Sequence, residues 1–215
     1  MSGTTVSSGP GTPGADPSLS AKSTRNILLA IGIAAAIVDL LTKWWVFEAI
    51  PKGTHRVILG NLVWFAPTHN PFGPWSLGRD MSLPAWVLPI LSVAAVGLIG
   101  RIFWETDPAD RVKGVGLVLI LGGAVGNLWD RVAAMIDPVY VGVRDFVVVK
   151  DVWFYPTRGL LRFWDWKWGH DFPAFNVADA CITVGVVLVA WRILFEAQPA
   201  PTAPAGTPSS NEVRA

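Results

Sequence analysis

Four apolar stretches, at about 26–47, 83–103, 114–134 and 172–195, constrain this chain more than any other feature. Each approaches the roughly 20 residues that an α-helix needs to cross the hydrocarbon core of a bilayer. Inside lipid every backbone N–H and C=O must be satisfied within the segment, so each stretch is expected to be a helix. Charged residues are 15% of the 215, well under the about 25% of a water-soluble domain. The reading is an all-α membrane protein: one four-helix bundle over about 26–196, between disordered tails at 1–25 and 197–215 rich in Ser, Thr, Gly, Pro and Ala. Lys22 and Arg25 precede the first stretch as in a secretory signal. That stretch is long, however, holds Asp39 and Lys43, and ends in Trp44-Trp45 with no small-residue cleavage site, so it is expected to be retained.

The loops at 48–82 and 135–174 fall on one side of the bundle because the spans alternate in direction. Gly60-Asn61 between Val57-Ile58-Leu59 and Leu62-Val63-Trp64-Phe65 predicts a β-hairpin, hence a small β-rich cap on that side. Trp164, Trp166 and Trp168 alternate, which puts three indoles on one side of an extended segment, a face suited to the membrane interface. Pro89 is expected to kink the second span. By these boundaries Lys and Arg number seven on the side of the termini and nine on the other, which does not orient the chain; Lys22 and Arg25 beside the first span favour termini inside.

The net charge of +1 gives no nucleic-acid footprint. Cys181 is the one cysteine and cannot form an internal disulfide. His55, His69 and His170 lack metal-ligand spacing, so neither a metal nor another cofactor is expected.

Against this apolar background the charged residues inside the spans are costly, and intramembrane acids are functional candidates by default. Asp130 lies near the end of the third span and Asp179 near the start of the fourth, which runs the opposite way. At about 1.5 Å per residue, both sit at similar depth below the same membrane face. Asn127 precedes Asp130 by three residues and Asn176 precedes Asp179 by three, so each acid has an amide one turn away. Asp39 and Lys43 form an i,i+4 pair in the same half of the bilayer. Two carboxylates near contact cannot both ionise easily, which is the arrangement of an aspartic protease. The helix dipoles favour charge on Asp179 and the proton on Asp130. Intramembrane acids serve a small transporter or proton relay as readily, and an inert scaffold for lipidated proteins is a third possibility.

Asp39-Leu40-Leu41-Thr42-Lys43, Asn70, the glycine-rich Gly122 to Arg131, and Phe175-Asn176-Val177-Ala178-Asp179 resemble, in order and topology, the motifs of lipoprotein signal peptidase. The resemblance covers about 26–195 and implies a type II signal peptidase, a multi-pass aspartyl endopeptidase of the bacterial cytoplasmic (inner) membrane. It implies Asp130 and Asp179 as the catalytic pair, within a polar shell of Asp39, Asn70, Asn127, Arg131, Asp145 and Asn176, with Lys43 beside them at the substrate. It further implies an active site and cap on the extracytoplasmic side and cytoplasmic termini. The implied partners are diacylglyceryl-modified prolipoproteins, cut before the lipidated cysteine, and membrane lipid, for a monomeric enzyme without nucleic acid. Asp145-Phe146 resembles the family's Asp-Phe pair. The chain departs from the family pattern in three places: Leu40 where Gln is usual, Pro71-Phe72-Gly73-Pro74-Trp75 after Asn70, and a longer 135–174 loop.

Overall fold

The computed structural model describes residues 17–60, 62–71, 84–137, 141–150 and 173–195. The Trp164–Trp168 stripe, His170, the Phe72–Trp75 turn and most of both tails lie outside the described residues. Four helices carry the architecture: α1 (Pro17–Ala49), α2 (Val87–Glu105), α3 (Arg111–Ile136) and α4 (Val177–Leu194). Among the described residues these four are long and apolar enough to cross a membrane. Large apolar side chains such as Ile33, Ile90 and Val187 stay more than half exposed on the outer faces. In water such a surface would aggregate; in lipid it is the expected exterior.

α1 begins earlier than the sequence suggested, because 17–25 continue the helix instead of belonging to a disordered tail. Arg25 fastens that extension to the end of α2, donating from Nη2 to the Trp104 carbonyl at 3.0 Å and lying over the Trp104 ring. Pro89 is the third residue of α2, so it falls in the first turn, where its missing N–H has no intrahelical acceptor to lose, and it does not interrupt the helix interior. At the other end of the bundle Asp110 caps α3 by accepting from the Lys113 N–H, and it also pairs with Arg192 of α4.

The predicted hairpin forms as β1 (Arg56–Leu59) and β2 (Val63–Asn70). A third strand, β3 (Val143–Val149), comes from the 135–174 loop and completes an antiparallel sheet in the order β1-β2-β3. The sheet sits where α1 and α3 end and α2 and α4 begin, with Phe146 packed against Val46 and Ile50 of the α1 end. A second cluster, Leu28, Phe103, Leu117 and Val118, fills the bundle further from the sheet.

α3 is the central helix. Its glycines let neighbours approach to backbone contact: a Cβ at Gly123 would collide with the Ala178 carbonyl of α4, and one at Gly126 with the Asp39 carboxylate of α1. That closeness brings the charged residues of three helices into one cluster.

Candidate active site

The start of α4 is built by a short-range device. Asn176 is the N-cap, accepting from the Asp179 N–H at 2.9 Å, while Asp179 Oδ2 accepts from the Asn176 N–H at 3.2 Å. This reciprocal capping box holds Asp179 in the first turn, at the positive end of the helix dipole. Asp39 of α1 caps the same terminus, accepting from the Ala178 N–H at 2.8 Å. The spacing Asn-x-x-Asp thus has a local cause at 176–179. In the interior of α3 the same spacing acts differently, because Asn127 and Asp130 reach towards other elements.

Lys43 is fully buried and lies 2.6 Å from Asp39 Oδ2 and 3.0 Å from Asp130 Oδ2, while also donating to Asn127 Oδ1 at 2.9 Å. Asp130 is fully buried too and has a second cation, Arg144 of β3. Arg144 closes on Asp130 Oδ1 through Nε at 2.9 Å and Nη2 at 2.7 Å, and its main-chain N–H donates to Oδ2 at 3.1 Å. Four donors therefore surround this carboxylate, which matches the about four lone-pair sites that it has.

Asp179 has no cation at hydrogen-bonding distance among the described contacts. Besides its cap it accepts from Asn127 Nδ2 at 2.9 Å, and it is half-buried where Asp130 is fully enclosed. No described hydrogen bond joins Asp130 to Asp179 directly; Asn127 bridges between the Lys43 cluster and Asp179. The acid electrostatically coupled to Asp179 from the sheet side is Asp145 of β3. It is buried and accepts from Asn176 Nδ2 at 2.7 Å and from the Asn70 side chain. Burial, and then the negative charge of Asp179, push the Asp145 carboxyl up to about 7, against the opposing hydrogen bonds of Asn70 and Asn176 and the charge of Lys43.

Arg131 donates from Nη1 to Ser92 Oγ of α2 at 2.7 Å, while its charge acts on Asp179, Asp145 and Asp130. The nine candidates from the sequence thus divide. Asp39, Lys43, Asn127 and Asp130 form an ion-paired block, Asn70, Asp145, Asn176 and Asp179 form a hydrogen-bonded group beside it, and Arg131 ties the site to α2. Arg144 was missed, since a lone arginine in a long loop carries no periodic or motif signal. Of the histidines, His55 stacks on Trp64, and His69 packs edge-on to Phe47 opposite Arg144 in the sheet. Cys181 lines an apolar groove of about 290 Å³ with Leu119, Val147 and Phe175.

The family described as signal peptidase (SPase) II matches residues 31–195. The lipoprotein signal peptidase of Geobacillus kaustophilus is 30% identical over 173 residues, which cover 79% of this chain and 94% of the relative. That of Polynucleobacter necessarius is 31% identical over 164 residues, covering 76% and 86%. A bacterial membrane enzyme solved by the in meso method at 2.3 Å superposes with a TM-score of 0.62 at 20% identity, covering 83% of this chain and 95% of the other. A second such structure, at 1.9 Å, gives 0.61 at 19% identity, and these two likenesses concern the fold.

Proposed function

The chain belongs to the signal peptidase II family, and from that premise we propose that it removes the signal peptide from diacylglyceryl-modified prolipoproteins as an aspartyl endopeptidase whose acting pair is Asp145 and Asp179. The bond cut is the one before the lipidated cysteine, and the cap and site face the extracytoplasmic side. The single observation that carries the choice of pair is that Asn176 donates to both acids, from Nδ2 to Asp145 at 2.7 Å and from its main-chain N–H to Asp179 at 3.2 Å. Burial and the charge of Asp179 raise the Asp145 carboxyl in keeping with it. Asp130, which span geometry and the motif resemblance favoured as the partner of Asp179, has four donors within 3.1 Å from Lys43 and Arg144. It has no lone pair left to take a proton from water, and its role in this reading is to hold the ion-paired block.

Charge balance is met by one proton among the four acids. Asp39, Asp130 and a singly protonated Asp145–Asp179 pair carry three negative charges, against three positive charges on Lys43, Arg131 and Arg144. The dipole and the donors at Asp179 favour charge there, while burial favours the proton on Asp145. In the reaction Asp179 takes a proton from water as its oxygen attacks the scissile carbonyl carbon, and Asp145 gives its proton to the carbonyl oxygen. On collapse the C–N bond breaks, the amine leaves with the proton held on Asp179, and the proton on the tetrahedral oxygen returns to Asp145.

The test is cleavage of a diacylglyceryl-modified lipobox peptide by the purified chain in detergent, with Asp145→Asn and Asp179→Asn beside it. Failure of the unaltered chain removes the function, and normal cleavage by either variant removes the pair.

A further inference from the structure

Arg144 is attached to the bundle at three points that surround Asp145. Its guanidinium and its main-chain N–H both bind Asp130 on α3. Its carbonyl accepts from Asn176 Nδ2 at 3.3 Å, the amide that also donates to Asp145. β3 is held along one edge by β2 and bridges to Phe175. Arg144 adds the attachment to α3, with Nε and Nη2 on Asp130 Oδ1 and its main-chain N–H on Oδ2. Such charge-assisted bonds from side chain and main chain to one rigid carboxylate limit the roll of the strand. The next residue along the strand is Asp145, so the roll of β3 sets where that carboxyl points.

We propose that Arg144 is a positioning residue for peptide cleavage: by closing on Asp130 with guanidinium and main-chain amide together, it fixes β3 so that the Asp145 carboxyl stays opposite Asp179. This rests on the reading of Asp145 and Asp179 as the acting pair. It also gives Asp130 a purpose, as the fixed anchor on α3 against which the strand is set. The groups that face Asp145 are Asp179 and Asn176 at the start of α4, Lys43 on α1, Asn70 on β2 and Arg131 on α3. Loss of the Arg144 cation, with Asp130 left to Lys43 alone, adds net negative charge beside the pair, so its shared proton is held to higher pH.

The experiment compares the full chain with Arg144→Ala, Arg144→Lys, Asp130→Asn and the double variant Arg144→Ala/Asp130→Asn, using the lipidated lipobox peptide in detergent across pH. The expected result for Arg144→Ala is a kcat lower by about 10- to 100-fold, the scale of a small misplacement of a reacting group, with KM within about threefold of normal. Its alkaline limb moves to higher pH. Arg144→Lys keeps the cation without the fork and recovers part of kcat, and the double variant is no slower than the slower single one, since both act through one contact. A normal kcat in Arg144→Ala, a loss confined to KM, an equal loss at every pH, or fully additive effects in the double variant each overturn the proposal. Should Arg144→Ala not fold, Arg144→Gln takes its place with the same readouts. If the unaltered chain does not cleave, or Asp145→Asn cleaves normally, the functional reading fails; with those two controls as expected, a silent Arg144 variant overturns the positioning role alone.

Discussion

Lys43 lies 3.0 Å from Asp130 with neither side chain exposed, and this contact separates the acids of the site into two kinds. Asp39 and Asp130 are bound to cations and hold the helices together. Asp145 and Asp179 accept from amides and backbone N–H groups, share Asn176 as a donor and interact through their charges. The first kind has its charge compensated inside the bundle, while in the proposed reading the second retains a proton to transfer.

Exchanging each acid for its near-isosteric amide distinguishes the two kinds. Asp145→Asn and Asp179→Asn are expected to lower turnover by at least about 10²- to 10⁴-fold, the usual weight of a general acid or base, while the bundle melts close to its normal temperature. Asp130→Asn leaves Arg144 without its carboxylate and Lys43 with Asp39 alone, so it is expected to cost about 3 kcal/mol or more of stability. Turnover and thermal unfolding in detergent, measured on all three, check this. Normal cleavage by Asp145→Asn with a stable, inactive Asp130→Asn would restore Asp130 as the partner of Asp179.

The pH dependence of cleavage follows from the raised Asp145 carboxyl. Asp145 holds a proton below about 7 and loses it above, so kcat/KM is expected to fall on the alkaline side from around neutrality. The limb reports the pair jointly, not one residue. A profile flat from pH 6 to 9 would show that no such proton is needed.

Stability is linked to the same proton, with a definite sign. The folded value of about 7 lies above the unfolded value of about 3.9, so the native chain binds more protons between these limits. The contribution is therefore fully present below about pH 4 and lost as pH rises through about 7. The unaltered protein in detergent is expected to melt lower at pH 8 than at pH 5, and Asp145→Asn to show a smaller difference. Identical pH responses in the two would place the titration elsewhere.

Orientation is tested with single cysteines in a Cys181→Ala background. Gly53, exposed in the turn before β1, and Ala109, exposed between α2 and α3, lie at opposite ends of the bundle. An impermeant thiol reagent on intact cells is expected to label Gly53→Cys and spare Ala109→Cys. The reverse pattern would turn the site towards the cytoplasm and exclude the assigned substrate.

Lipid on the substrate is expected to be required, because the acids sit at the ends of membrane-spanning helices and a soluble peptide must enter the bilayer edge to reach them. Acyl chains contribute about 0.8 kcal/mol per buried CH₂ and hold the scissile bond at that depth. Matched lipidated and unlipidated peptides measure this, and equal kcat/KM for the two would refute it.

What the sequence alone determined is what length and period encode. Four runs of about 20 apolar residues can only be helices in lipid, and Gly60-Asn61 between β-prone runs specifies a hairpin. The small residues at 122, 123 and 126 announced close helix contact, and the structure brings Ala35, Ala178 and Asp39 against them. Alternating span direction put Asp39, Lys43, Asn127, Asp130 and Asp179 at one end of the bundle before any coordinates. The proposed choice among the acids rests on tertiary structure alone. Asp130 and Asp179 look equivalent in sequence, each with an asparagine three residues before it, but one meets Lys43 from α1 and Arg144 from β3 while the other caps a helix. Asp145 stood among several acids of a long loop, marked only by the likeness of Asp145-Phe146 to the family's Asp-Phe pair. It became the neighbour of Asp179 because β3 pairs with β2 and bridges to Phe175 at the entry to α4. Ion pairing and burial depend on which surfaces of separate elements meet, as Lys43 of α1 meets Asp130 of α3, and no local pattern encodes that.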